Sequence, residues 1–395
     1  MPGTFVPGVW QSQPHLDAPP RYRTACRYEA FVPDELLRLE VSLPAEAAGL
    51  VAEADAATRV LNAGAKPALA PLARLLLRTE AIASSKVEGL QMGVRELARA
   101  EARMETGGRR SQTAEEILAN MAAMETAISE AATAPHFGEQ ELTLIHRRLM
   151  EHAPNPKVAG RFRASQNWIG GNNYNPCGAD FIPPPVEEIQ RLLGDLYAAV
   201  NSELSPPLVQ AALVHAQFET IHPFDDGNGR TGRALVHVIL RRRGVAPNYV
   251  PPISVVLATG RDRYIAGLTR FRADGVVEWI EQFATATYQA ARLAQHYVGE
   301  VETLMKEWRS KVENTSAPRS DAAAWAIIDI LPAHPVITGP VAAAATGRSK
   351  GPVYEAIAQL EGAGVLIPLS TSKRNQSWEA VGLLELLEGL EGGVR

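Results

Sequence analysis

Residues 222–233 read HPFDDGNGRTGR, and the chain on either side carries a helical pattern: PPLVQAALVHAQFETI before, RALVHVILRRRG after. Proline in the first turn of the leading helix costs little, because that N–H has no intrahelical partner. Gly244 closes the trailing helix. Three glycines in the link, Gly227, Gly229 and Gly232, let the backbone take positive φ and aim successive N–H groups inward. A helix predicted from near Arg230 turns its positive N-terminal end toward the same space. A helix–loop–helix of this composition suits an anion with several oxygens, such as a di- or triphosphate.

The side chains extend that reading. Arg230 and Arg233 stand three apart on the first turn, on neighbouring faces, and can clamp phosphate oxygens. Asp226 would repel phosphate unless a cation lay between them, and a bridging Mg²⁺ resolves the conflict. His222, at the end of the leading helix, is the group here that can accept a proton near neutral pH. Taken singly these features are common. A GNG triplet is more often a turn, and two arginines at helical spacing more often face solvent. Together they point to transfer of a nucleotidyl or phosphoryl group to a hydroxyl. His146, His215 and His237 read as core or surface histidines.

The rest of the chain is mainly helical. Its 395 residues suggest two or three domains, and 46% hydrophobic residues supply a packed core. A formal net charge of −5 gives no general basic footprint for nucleic acid. Cys26 and Cys177 could pair, but so sparse a usage reads as a reduced, cytoplasmic protein. The start, MPGTFVPGVWQSQPH, has no signal-peptide pattern. No apolar run approaches the roughly 20 residues of a membrane span. Residues 1–35, rich in proline and aromatics, read as an arm over the body. Apolar residues recur at helical spacing in LARLLLRTEAIASSKVEG and AEEILANMAAMETAISEAA, while GGNNYNPCGADFIPPP, 170–185, interrupts the helices. Helix resumes in VEEIQRLLGDLYAAVNSEL and continues in alanine-rich segments to about Lys311. The stretch 313–321 reads as a linker with a helix cap at Ser320 or Asp321. Beyond it, helices at 321–331, 340–346 and 350–362 and two short strands around a basic turn outline a winged helix-turn-helix.

Segment 222–233 is similar to the signature of the Fic family: histidine–any–phenylalanine–any–acid–Gly–Asn–Gly–Arg–any–any–arginine. His222, Phe224, Asp226, Gly227, Asn228, Gly229, Arg230 and Arg233 match it without a departure. HAQFETIHPF, GRFRASQNWIGG with FIPPP, PPISVVLATGRDRYIAGL and RTEAIASSKVEGLQ also resemble the family, so the likeness covers about residues 25–300. It implies a mainly α fold, a Fic-type helical bundle with a β-hairpin flap, followed by the winged helix. The organisation is then an N-terminal arm and inhibitory helix region at 1–110, a Fic catalytic domain at 111–312 and the winged helix at 318–395.

The resemblance further implies a protein adenylyltransferase, moving AMP from ATP to a Tyr, Thr or Ser hydroxyl of a target protein and of itself. His222 would be the base, and Asp226 would hold Mg²⁺ against the phosphates. Asn228 and the N–H groups of Gly227 and Gly229 would form the anion hole. Arg230 would bind the β-phosphate and Arg233 the γ-phosphate, with Phe224 as an apolar plug under the loop. Relatives that phosphorylate carry lysine where this chain has Gly229, so glycine favours AMP transfer. Loop 170–185 corresponds to the flap, which would pair with an extended target segment. Tyr264 stands where relatives place an aromatic beside the adenine, although the tyrosine often found next to it is Ile265 here.

SSKVEG, 84–89, fits the family's inhibitory motif through Ser84, Glu88 and Gly89. Ser84 and Glu88 lie one helical turn apart near an end that Gly89 can terminate. Glu88 on Arg233 would occupy the γ-phosphate position and hold ATP unreactive. In the C-terminal module, Arg348, Lys350, Lys373 and Arg374 suit DNA, whereas Glu379, Glu385, Glu388 and Glu391 suit a protein partner or a homodimer, and both stay open. Two other functions also stay open: removal of AMP, alone or beside its transfer, and a nucleotide-sensing transcription regulator. The intact histidine weighs against the regulator, since a sensor needs no base.

Overall fold

The computed structural model describes residues 2–64, 70–108, 110–316, 318–369 and 375–391. Lys373 and Arg374, expected on the basic turn, lie outside them. The chain is mainly helical, as its periodicity predicts, and forms two compact units assembled from separate stretches. No helix among the described residues is long and apolar enough to cross a membrane.

The first unit comprises Met1–Asp55, Ala122–Val245 and Gly260–Thr285. At its centre runs the helix Pro207–Ile221, buried at every residue from Leu208 onward. Such all-round burial explains why its sequence is apolar on every face. Ala212 accepts a hydrogen bond from the Trp279 indole at 2.8 Å, so that ring has its polar partner in the core. The next helix, Asn228–Arg242, packs on it through Gly232. A Cβ there would come within 2.5 Å of Glu219 Oε1 and 2.9 Å of Phe218 Cδ1.

The N-terminal arm of this unit is more ordered than its composition suggests. Strands β1 (Gly3–Trp10) and β2 (Cys26–Pro33) form an antiparallel hairpin, in register from Gly3 opposite Pro33 to Trp10 opposite Cys26. Alternating burial along the first half of β2 hides within an aromatic-rich, proline-punctuated stretch, so no period stands out. Cys26 is bonded to Cys177, with Cα atoms 6.1 Å apart. Reading both cysteines as reduced is therefore corrected, and the argument for a cytoplasmic location drawn from them lapses. Closing 151 residues of chain removes on the order of 5 kcal/mol of unfolded-state entropy.

The second unit comprises Ala56–Met121, Ala246–Thr259 and Ala286–Arg395. Its helix Ala70–Val87 carries the buried Glu80, which accepts from Ser254 N at 2.8 Å and Ser254 Oγ at 2.5 Å. This caps the helix Ile253–Thr259. Toward the C-terminus, helices Ala323–Ile330, Gly339–Thr346 and Lys350–Gly362 accompany β3 (Val336–Thr338), β4 (Leu366–Pro368) and β5 (Ser377–Ala380), in sheet order β3–β5–β4. The sequence reading has two strands where the structure has three: β3 lies apart from the pair around the basic turn, directly before the helix Gly339–Thr346. It also misses the last helix, Leu383–Glu391.

Two boundaries differ as well. The helix Val276–Ser316 runs into the predicted linker, and the following helix is capped by Ala322 without a side-chain hydrogen bond, not by Ser320 or Asp321. Three of the module's acids are engaged within the unit. Glu379 meets Arg95 and Arg99, and Arg95 also reaches Glu385 at 2.8 Å and Glu388 at 2.9 Å. Arg348 donates to the Asp321 carbonyl at 3.0 Å.

The close contact at Gly232 gives a stability test. Gly232→Val should lower the unfolding free energy by about 1–3 kcal/mol through overpacking, read from the midpoint of urea denaturation. An unchanged midpoint would mean that the two helices have room to separate.

Candidate active site

The helix Pro207–Ile221 ends where His222 enters the left-handed region, at φ 49° and ψ 59°. Few non-glycine residues adopt that conformation, and those that do are held there by their surroundings. His222 N donates to Phe218 O at 2.9 Å. Its carbonyl accepts from Arg163 Nε at 3.0 Å and Asn167 Nδ2 at 3.4 Å. Arg163 also donates to Ser165 O at 3.0 Å and Pro184 O at 2.5 Å, and its own N–H to Pro223 O at 2.9 Å. Burial lowers the Arg163 pKa to about 10, which leaves the guanidinium charged at neutral pH.

Past the turn, Phe224 is fully buried and lies flat on the His146 ring, centroids 3.6 Å apart, with Phe162 and Phe218 around it. The apolar plug read from the sequence is present. Asn228 then closes the loop: its Oδ1 accepts from Phe224 N at 2.9 Å, and its Nδ2 donates to Phe224 O at 2.8 Å. That amide braces the loop, and its second N–H is not engaged by either bond. Gly227, at φ 77°, starts the helix Asn228–Arg242, two residues earlier than the sequence suggests. A side chain at Gly227 would meet Met150 Sδ at 2.9 Å in addition to its backbone strain.

His146 does more than the sequence discloses. Its Nδ1 accepts from Gly160 N at 2.9 Å, so the Nε2 facing Asp226 O at 2.9 Å carries the proton and donates. It therefore fixes the backbone one residue before Gly227. Burial pushes its pKa down to about 4, which keeps the ring neutral. Nothing in the sequence around position 146 signals this, because its partners lie 14 and 80 residues away.

Asp226 points outward, its side chain 63% exposed, with Oδ1 accepting from Gly227 N at 2.6 Å. Arg230 is 5% exposed. Its Nη2 lies 3.9 Å from Asp226 Oδ1, while Nε and Nη1 have no hydrogen-bond partner among the described residues. Arg233 is buried one turn further on, and Gly229, just before Arg230, is half-buried. The first N–H groups of a helix have no intrahelical partner. Here they begin beside these cations, so the helix dipole and the two guanidinium groups have the same sign. The structure thus brings together His222, Asp226, Gly227, Asn228, Gly229, Arg230 and Arg233 in one loop and helix start.

Tyr264 does not join them at an open surface. It is 4% exposed, its hydroxyl 2.9 Å from His215 Nε2 and its ring packed near Trp279. Burial first, and Arg233 second, lower the His215 pKa to about 3, so that imidazole stays neutral. Tyr264 is thus a core residue.

Loop 170–185 is hairpin-like at its base, where Ile169 pairs antiparallel with Phe181. Ile169 N donates to Phe181 O at 2.8 Å, and Asp180 N to Ile169 O at 2.9 Å. In the other unit, Ser84 is buried and Glu88 exposed just past the helix Ala70–Val87. Glu88 N donates to Ser85 O at 3.1 Å, and Gly89 follows at φ 86°, the left-handed end its sequence anticipates.

The folded histidines give a pH test. His146 binds a proton less readily folded than unfolded, so between its ordinary 6.5 and about 4 the unfolded chain holds more protons. Stability then falls as pH drops through that window, by up to about 1.4 kcal/mol per pH unit for each such group. His146→Gln should be less stable at pH 7 yet lose stability more slowly between pH 7 and pH 5, read from urea midpoints. Parallel pH profiles would show that His146 contributes nothing to the acid lability.

Residues 136–240 match the model of the Fic/DOC family, and residues 45–129 that of the Fic/DOC family N-terminal region. A protein adenylyltransferase Fic of Nematostella vectensis is 38% identical over 106 residues, 26% of this chain and 22% of that protein. The protein adenylyltransferase Fic of Drosophila ananassae is 32% identical over 154 residues, 38% of this chain and 29% of that protein. The chain thus spans less than a third of these curated relatives. A Fic family protein from Desulfovibrio desulfuricans G20 has a similar fold, with a TM-score of 0.52 at 21% identity, covering 87% of this chain and 98% of that one.

Proposed function

Since the chain carries a Fic/DOC family domain over residues 136–240 and that family's N-terminal region over 45–129, we propose that it transfers AMP from ATP to a hydroxyl side chain of a target protein. The observation that carries this reading is Arg230. A buried guanidinium with two nitrogens lacking a hydrogen-bond partner among the described residues is costly unless an anion completes it. It stands beside a helix start and one residue cluster away from His222, which supports a phosphate group held next to a base.

The step balances as follows. His222 takes the proton of a target hydroxyl, the oxygen forms a bond to the α-phosphorus, and the α–β bridging bond breaks to release pyrophosphate. Backbone N–H groups at Gly227–Gly229 hold the charge that develops, with Arg230 and Arg233 on the departing phosphates. Among the described residues, no group of three His, Cys, Asp or Glu is arranged to hold a metal. Asp226, exposed at the mouth of the site, fits a Mg²⁺ that takes its other ligands from phosphate and water. Such an ion supplies charge neutralisation and orientation of the phosphates. Gly229, lacking a lysine side chain, supports AMP transfer over phosphorylation.

Glu88 is proposed as the inhibitory carboxylate, acting on Arg233. Its position directly after a helix that Gly89 terminates, with Ser84 one turn earlier, supports that role.

Labelled ATP distinguishes these parts. His222→Ala should abolish protein labelling yet keep Mg²⁺–ATP affinity, measured by calorimetry, because the phosphate cradle is untouched. Glu88→Gly should raise labelling above wild type, and Arg233→Ala in that background should return it to a low level, the non-additive pattern of a shared site. If Glu88→Gly instead abolishes removal of AMP from a pre-modified protein, Glu88 is catalytic in the reverse reaction. Labelling retained in His222→Ala would overturn the assignment of the base.

A further inference from the structure

The N-terminal hairpin and the loop 169–182 are fastened together at several points within the first unit. Phe31 N, on β2, donates to Ile182 O at 2.9 Å. Cys26, at the start of β2, is bonded to Cys177 in the loop. Asn175, 1% exposed, donates to Tyr22 O at 2.8 Å, and Tyr174 stacks on Tyr22 at 5.3 Å. Trp10, at the end of β1, meets Trp168 edge to face at 5.5 Å. On its other side Phe181 carries the Arg272 guanidinium, 3.8 Å above the ring centroid.

These contacts have a common geometry. The loop has one short antiparallel pair at its base, Ile169 with Phe181, and beyond it relies on turns around Asn172 and Asn175. A two-residue ladder is far too little to hold a loop in one shape. The hairpin supplies what the ladder lacks, and it does so on the Ile182 edge. Among the described residues, no hydrogen bond engages the backbone of Trp168, which leaves its N–H and C=O on the opposite edge for a docking segment, while Gly170, at φ 75°, ends the extended stretch.

We propose that the hairpin Gly3–Pro33 is a clamp that sets the docking shape of the loop 169–182, with the Cys26–Cys177 bond as its fastener, so that the protein target and not ATP senses whether the clamp is closed. Asn175, Tyr22 and Arg272 are positioning residues in this arrangement, since none is required to touch the nucleotide. The inference rests on the proposed AMP transfer only for what docks; the clamp itself is a property of the fold.

The test uses the full chain in the Glu88→Gly background, with Mg²⁺ and labelled ATP, and a tagged His222→Ala copy of the same chain as the acceptor probe. Cys26→Ser is compared with the disulfide-bonded form. Hydrogen exchange at Ile169, Asp180 and Phe181 should quicken about tenfold as the loop opens more often. The KM for the acceptor copy should rise about fivefold or more, with kcat and ATP affinity within about twofold of the bonded form. Should the serine variant fail to fold, the folded protein can be treated with a dithiol. Two electrons and two protons pass to the Cys26–Cys177 bond, giving two thiols, while the reagent closes to its own disulfide, and the same readouts apply.

Unchanged exchange at the three amides overturns the clamp. So does faster exchange with an unchanged acceptor KM, or an equal loss of ATP affinity. If the amides loosen but no form of the protein labels any acceptor, the clamp stands and the transferase reading falls.

Discussion

The Arg163 guanidinium, 2% exposed, rests on the carbonyl oxygens of His222, Ser165 and Pro184. Those carbonyls belong to the end of the central helix, the segment entering the flap and the segment leaving it. A charge taken out of water must be compensated by hydrogen bonds, and here the compensation is also the means of alignment. The left-handed turn at His222 has no glycine to relieve it, so an external hold is needed. Arg163 provides it, and the base, the loop after it and the flap inherit their positions from that one side chain. Loss of the guanidinium would leave the buried Pro184 carbonyl without that donor and His222 with Asn167 alone.

The sequence discloses the site more readily than its supports. His222, Asp226, Gly227, Arg230 and Arg233 are legible because they fall within twelve consecutive residues, where local spacing carries the information. Phe224 was legible for the same reason. His146 was not, since its meaning depends on Gly160 and Asp226 arriving on its two nitrogens. The hydrogen bonds of Asn228 to both backbone groups of Phe224 depend on a rotamer that no spacing encodes. Tyr264 is buried against His215 and Trp279, neighbours that its sequence position does not disclose. The Cys26–Cys177 bond joins residues 151 apart, and composition alone speaks for the average compartment, not for a particular pair.

Around the loop, polarity is arranged in one sense. His146 and His215 are kept neutral by burial, so they act as fixed dipoles rather than as additional charges. Arg230 and Arg233 bring cations to the start of a helix whose own dipole has the same sign. Asp225 and Asp226 stand exposed at the rim. Fixed dipoles of this kind act most strongly on a charge that develops beside them, which is what the proposed transfer requires.

Each compact unit is stitched from three separated stretches, the first ending only at Thr285. During synthesis the hairpin and the helix Pro207–Ile221 leave the ribosome long before Gly260–Thr285, which supplies the Trp279 indole to that helix. The first unit is therefore complete only when residue 285 has been made, with two stretches of the second unit already emerged between its own. The nascent protein must hold its most apolar helix with one side unfinished for the length of two further segments. During that interval the helix exposes apolar surface that the finished fold covers.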